Sequence, residues 1–179
     1  MDRRWEAPAG ANLLVSLLLR EVPLHPHELT RRVALAAAIA CERTAGVAPT
    51  LKWPNDLLLD GEKLAGVLAQ AGADCVVVGI GVNVGWAPSG GAKIGSATTP
   101  AELLDELLAA YDELPADINE LYRHRLSTLD QLVRVELPGD RFITGRAVNV
   151  EADGRLVVLD ECAITHRIDT GDVVHLRPA

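Results

Sequence analysis

Hydrophobic positions along this chain change rhythm several times. Residues 11–19 include the nearly unbroken apolar run Leu13-Leu14-Val15-Ser16-Leu17-Leu18-Leu19, which predicts a strand buried on both faces or covered by helices on one. Pro23 and Pro26 break the chain after it. From 26 to 45, Leu29, Val33, Leu35, Ala36, Ala37, Ile39 and Ala40 fall mostly at helical spacing, with Arg31 and Arg32 expected outside. The alanines favour helix and let it pack close to a sheet, and Gly46 is a suitable stop. Leu57-Leu58-Leu59, the tight-turn pair Asp60-Gly61 and the run 63–69 read as a hairpin. Pro54 ends any ladder ahead of it. After a turn at Gly72-Ala73-Asp74, residues 75–84 form a strong strand signal with Gly79 and Gly81 inside it. A Gly-, Pro-, Ser- and Thr-rich stretch, 85–99, is expected to be a mobile loop carrying Trp86 and Lys93.

Residues 100–114 predict an amphipathic helix with Leu103, Leu104, Leu107, Leu108 and Tyr111 as its apolar stripe. Thr99 and Glu102 have capping-box spacing, with Pro100 at the first helical position. Pro115 opens a second helix through Ile118, Leu121, Tyr122 and Leu126. No chemistry is assigned to these helices. Near 127–131 the rhythm shortens. Strand patterns at 132–137, 142–150, 156–159, 162–168 and 173–176 alternate with turn signals such as Pro138-Gly139-Asp140, and this spacing indicates a small β-barrel.

Composition narrows the class. A length of 179 residues allows one ordinary domain, or a domain plus a small module. Apolar residues are 49% and aromatics only 3%, so the core is built from Ala, Val and Leu. The net charge of −8 argues against nonspecific nucleic-acid binding and against a basic membrane-surface patch. Cys41, Cys75 and Cys162 are widely spaced and odd in number, which suggests buried, reduced thiols rather than a disulfide framework or metal site. Asp2-Arg3-Arg4 leads into Trp5-Glu6-Ala7-Pro8 and not into an apolar leader, and the longest apolar runs are too short to span a bilayer. A cytoplasmic protein is expected. His25 and His27 lack an evident third metal ligand, and His124, His166 and His175 read as isolated structural or exposed residues.

The chemistry concentrates in Lys52-Trp53-Pro54-Asn55-Asp56 and Gly61-Glu62-Lys63-Leu64-Ala65-Gly66. The hairpin brings two cations, an amide and a carboxylate near one another. Such a set suits a ligand with a phosphate and a hydroxylated or amino-bearing ring, since lysine is a point charge for phosphate or carboxylate oxygens. Asp56 can accept hydrogen bonds and help hold a divalent metal. A plainer reading has solvated lysines and a turn-capping aspartate. Gly79-Ile80-Gly81 is no dinucleotide fingerprint, because no third glycine opens a helix after it. Glycine inside a strand means close approach by a ligand or another backbone.

These two strings, followed in order by Gly79-Ile80-Gly81-Val82-Asn83-Val84, resemble the biotin protein ligase family. Arg3-Arg4-Trp5 and Pro8-Ala9-Gly10-Ala11-Asn12-Leu13 look like the stretch after that family's glycine-arginine loop, and the region from about Leu132 looks like its small C-terminal barrel. The resemblance implies an α+β fold. Residues 1–128 would form the ligase domain, a mixed sheet with packed helices of the class II synthetase-like type. Residues 129–179 would form an SH3-like barrel. It implies activation of biotin by ATP to biotinyl-5′-AMP with Mg²⁺ on the phosphates. Biotin then passes to a lysine of a biotin carboxyl carrier domain. Lys63 matches the lysine that contacts both biotin's carboxylate and the α-phosphate. Gly66, Leu68, Gly79 and Gly81 match biotin-pocket walls. Asn55 and Asp56 match positions near nucleotide and metal, Asn83 an adenylate contact, and Arg3 the last arginine of the loop. Lys52 is expected to orient the hairpin.

The family's upstream Ser-Thr segment, Gln and Gly-Arg-Gly-Arg loop do not occur in this sequence, so the ligase domain is expected to be N-terminally incomplete. The competing expectation is an impaired relative that binds ligand and pairs with another chain, a homodimer through an exposed edge strand included. A lipoate-ligase-type acyl-transfer enzyme is disfavoured by the intact Lys-Trp-Pro-Asn-Asp string and the C-terminal strands. No DNA-recognition module is read in the sequence.

Overall fold

The computed structural model describes residues 7–176. Arg3 lies outside them. Ten strands and three helices form two antiparallel sheets and a helical layer. In the first sheet the order is β1-β5-β4-β3-β2. Its strands are β1 (Leu13–Leu19), β2 (Thr50–Lys52), β3 (Asp56–Leu59), β4 (Glu62–Ala71) and β5 (Val76–Val82). Tight connections make the β2–β3, β3–β4 and β4–β5 pairs antiparallel, and β1 joins the sheet antiparallel to β5. The expected mixed sheet is therefore corrected: both sheets are antiparallel, and the parallel pairings are isolated bridges, Leu51 with Leu126 and Lys63 with Gly91.

Helix α1 (His27–Ala45) packs on one face of this sheet, and α2 (Pro100–Glu113) packs on α1. The alanines of α1 are mostly fully buried, which lets its backbone approach the strands closely. Gly46 ends α1 with φ 68° and donates its N–H to Glu42 O. Thr99 and Glu102 form the expected capping box on α2. Val76, Val78, Ile80 and Val82 face the helices, and burial of each such side chain contributes roughly 1.5–3 kcal/mol. The apolar run of β1 is helix-covered on one side only: Leu13 is buried, while Leu14 is 51% and Leu18 54% exposed. Leu108, expected in the α2 stripe, is also exposed, because α1 covers Leu103, Leu107 and Ala110 instead.

The short helix α3 (Asn119–Arg125) leads into the second sheet, ordered β10-β6-β7-β8-β9. Its strands are β6 (Leu132–Leu137), β7 (Arg141–Val150), β8 (Leu156–Leu159), β9 (Thr165–Ile168) and β10 (Asp172–His175). Among the described residues no ladder joins β10 to β9, so the sheet is open where a barrel was expected.

Arg31 corrects another expectation. It is 4% exposed, not solvated, and its guanidinium donates to Asn119 Oδ1 at 2.9 Å and Ala152 O at 2.6 Å and lies 5.6 Å from the Tyr122 ring. The side of α1 that carries it is covered by α3 and a turn of the second sheet, which helical periodicity alone does not reveal. The cysteines also divide. Cys41 is buried and its thiol is pushed up to about 12 by burial, but Cys75 is half-buried and Cys162 exposed. His166 is not isolated: its Nε2 lies 2.7 Å from Asp160 Oδ2.

Candidate active site

Asp60 and Gly61 both take positive φ, 53° and 85°, and so close the β3–β4 hairpin as a tight left-handed turn. This turn sets the register that pairs Leu58 with Lys63. The register then shifts between Leu57 and Leu58, so that Leu57 pairs with Ala65 and Asp56 with Gly66. Leu64 is the extra residue of this bulge. Strict alternation back from Gly66 would put Leu64 beside it and Lys63 on the helix-covered face. The bulge reverses this: Leu64 is fully buried, and Lys63 reaches Asp56 on the open face. Lys63 Nζ lies 2.6 Å from Asp56 Oδ1, with the lysine side chain 46% exposed.

The rest of the open face is laid out by the ladders. Leu14, Gly81, Gly66 and Asp56 stand side by side across four strands, and Ser16, Gly79 and Leu68 form the next row. Three glycines in adjacent strands leave a trough where side chains would stand. A groove of about 360 Å³ follows it, walled by Leu14, Ser16 and Leu68, with Asn55, Asp56 and Lys63 at one end. A Cβ on Gly79 would meet only Leu68 O and Ser16 Oγ, both at 3.7 Å, so packing does not demand glycine there; the open floor does. One end of the groove is apolar and the other is charged, as an amphipathic anion requires.

Asn55 also has a structural task. It accepts the Val67 N–H at 2.8 Å on its backbone carbonyl and donates its amide to Val67 O at 2.6 Å, imitating a strand partner beyond the end of β3. Asn83 is 4% exposed. Its amide donates to Ala92 O at 3.0 Å and Lys63 O at 3.4 Å, while its Oδ1 accepts from Asn12 Nδ2 at 3.3 Å. It therefore holds the 85–95 loop against β4 beside Lys63. That loop is further tied by Ala92 N–H to Lys63 O at 3.0 Å and Gly95 N–H to Val84 O at 2.8 Å, so it is anchored where mobility was expected. Asn12, to which the sequence pattern assigns no task, accepts the N–H groups of Val84 and Trp86 at 3.0 and 3.1 Å. Lys52 stands opposite Asp56 in the β2–β3 ladder. The structure thus gathers Lys63, Gly66, Leu68, Gly79, Gly81, Asn55 and Asp56 on one groove, with Asn83 buried behind its rim.

A larger cavity, about 470 Å³, opens between the start of α1, the Trp53–Asn55 turn and loops of the second sheet. It shares Asn55, Val67 and Leu68 with the groove but not Lys63, Asp56 or the groove's glycines. The smaller groove is the candidate site because the reactive groups converge there. Among the described residues no cluster of three or more His, Cys, Asp or Glu could hold a metal by itself.

Residues 1–83 match the biotin/lipoate A/B protein ligase family. A biotin–[acetyl-CoA-carboxylase] ligase of Mycobacterium tuberculosis is 37% identical over 98% of this chain and 73% of its own length. This chain is a biotin protein ligase family member. A second such ligase, from Paracoccus denitrificans, is 40% identical over 62% of this chain, which spans about half (49%) of that relative. The fold agrees. A biotin protein ligase of Aquifex aeolicus, solved in complex with biotin and ATP, superposes with a TM-score of 0.80 at 23% identity, covering 98% of this chain and 82% of its own. No helix of the described residues is long and apolar enough to cross a membrane.

Proposed function

We propose that this family member is a biotin–[acetyl-CoA-carboxylase] ligase that activates biotin with ATP and transfers it to a carrier-domain lysine. The observation that carries this is the Lys63–Asp56 pair at the charged end of a glycine-floored apolar groove. Biotin's fused ring lies along Gly66, Leu68, Gly79 and Gly81, with its carboxylate toward Lys63. In the first step a carboxylate oxygen bonds to the α-phosphorus of ATP, the bond from that phosphorus to the bridging oxygen breaks, and pyrophosphate leaves. In the second, the acceptor lysine's amine, losing its proton, attacks the acyl carbon, and AMP leaves with the bonding electrons.

Two anions held about 4 Å apart repel by about 4 kcal/mol at an effective dielectric of 20, and a cation between them turns that repulsion into attraction. Lys63 supplies this cation, and Asp56 holds it in place until substrate arrives. Asn55 and Asp56 border the nucleotide, and Asn83 acts there through the loop that it holds. Arg3 is assigned to the nucleotide from the sequence alone. Mg²⁺ takes one or two carboxylates plus substrate phosphates and keeps several waters, so the single carboxylate of Asp56 fits it as one ligand. When bound it neutralises phosphate charge. We further divide the chain at 128/129, assign the second sheet to an SH3-like module, and place the protein in the cytoplasm.

The test is purified chain with biotin, Mg-ATP and a carboxylase carrier domain, scored for biotinyl-adenylate and for covalent biotin on the carrier. Both products are expected. Absence of adenylate and of biotin-dependent pyrophosphate exchange would leave only a ligand-binding relative.

A further inference from the structure

Of the Lys-Trp-Pro-Asn-Asp segment, only Asn55 and Asp56 line the groove; Lys52, Trp53 and Pro54 do not, and of these three Trp53 is the buried one. Trp53 is 3% exposed and is absent from the groove's walls. Both of its N–H groups instead reach residues beyond 127. The backbone N–H donates to Thr128 Oγ1 at 3.0 Å, and the indole Nε1–H donates to Gly154 O at 2.9 Å. Thr128 is fully buried. Gly154 sits at φ +93°, a backbone conformation open to glycine, in the β7–β8 turn. That turn is braced by Glu151 N–H to Arg155 O at 2.9 Å and by Arg31 holding Ala152 O at 2.6 Å. A braced turn of the second sheet therefore grips the first sheet at Trp53.

The reactive groups flank Trp53 closely along the chain. Lys52 and Asp56 are paired strand residues, and Trp53, Pro54 and Asn55 form the turn between them. Asn55 closes on Val67, and Asp56 meets Lys63. The biotin floor is set separately, by the β4–β5 ladder that pairs Gly66 with Gly81 and Leu68 with Gly79. Nothing in that ladder passes through Trp53.

We propose that Trp53 is a positioning residue: through Thr128 and Gly154 it makes the second sheet set the placement of Asn55 and Asp56, and hence the aim of Lys63. The inference rests on the ligase reading above. It separates Trp53 from an ordinary core aromatic, because loss of the indole donor should damage the chemical step and spare biotin binding. Misplacement of reacting groups by about 1 Å can lower a rate by about 10²-fold, even when the change is remote from the chemistry.

The experiment uses the full chain and two substitutions, Trp53→Phe, which keeps a buried ring and removes the indole donor, and Thr128→Val, which keeps the shape and removes the hydroxyl. Each is expected to lower kcat for adenylate formation about tenfold while the KM for biotin stays within about twofold. Without any ligand, amide exchange should quicken at 53–57 and stay unchanged at 76–82. Parental kcat in a folded Trp53→Phe protein overturns the proposal. So does an equal loss in biotin KM, or exchange that rises everywhere. If Trp53→Phe does not fold, Thr128→Val is judged by the same three outcomes. An inactive parent chain would instead overturn the ligase reading itself.

Discussion

Lys63 Nζ and Asp56 Oδ1 lie 2.6 Å apart, although strict strand alternation from Gly66 would place Lys63 on the opposite face of the sheet. The bulge at Leu64 makes the pair possible. It also makes the pair cheap to lose for stability, since Lys63 is 46% exposed and solvent-exposed ion pairs contribute about 0–1 kcal/mol.

Lys63→Ala should therefore leave the thermal midpoint nearly unchanged and lower adenylate formation by about 10²–10³-fold, the scale of removing one preorganised charge donor. Turnover and melting measured on the same preparation decide it. A variant that keeps the parent rate would remove Lys63 from the mechanism.

The groove floor gives a second prediction. Gly79→Val introduces a strand-favouring residue where a Cβ meets only ordinary contacts at 3.7 Å, so the fold should tolerate it. The added methyls fill the trough, and biotin affinity should fall at least about tenfold, the lower end for an excluded group in a fitted pocket. Titration calorimetry with biotin checks this. Unchanged affinity would mean that biotin lies elsewhere.

Arg31→Leu removes two donors from buried partners, Asn119 Oδ1 and Ala152 O. Hydrogen bonds from charged donors contribute about 1.5–3 kcal/mol, and stranded buried acceptors add to the loss, so destabilisation of about 2–4 kcal/mol is expected. Urea midpoints measure it. A change below about 0.5 kcal/mol, the ordinary range for surface positions, would show that the contact is not a brace.

Acidification gives a fourth. Burial, and secondarily Lys52, hold the His175 pKa below its usual value. Its folded pKa is thus below its unfolded one, near 6.5. The unfolded chain takes up the proton first as pH falls, so stability is retained above about pH 6.5 and declines below it. His175→Gln should flatten the melting curve's dependence on pH between about 7 and 5 relative to the parent. An identical slope in both proteins would exclude His175 as the titrating group.

Local chemistry makes much of this molecule legible. Asp60-Gly61 marks its hairpin because both positions must take positive φ, and Thr99 with Glu102 marks the start of α2 because side chains satisfy N–H groups that the helix leaves unpaired. The burial of Arg31 is not legible, because helical period reports which residues share a face and not what later covers that face. The pairing of β1 with β5 escapes for a similar reason, since strand period does not name a partner, whereas helix cover on one face of β1 is one of the two readings its apolar run allows.

By itself, then, the sequence determined the elements, their turns and caps, the order of the three motif strings and the family they mark. These depend on backbone conformation and on residues within a few positions of one another. Tertiary structure alone decided that a bulge turns Lys63 toward Asp56 and that ladders line up Gly66, Gly79 and Gly81 as one floor. It also decided that Trp53 answers to Thr128 and Gly154. Those contacts join residues up to 101 positions apart, where register and packing, and no local preference, choose the partner.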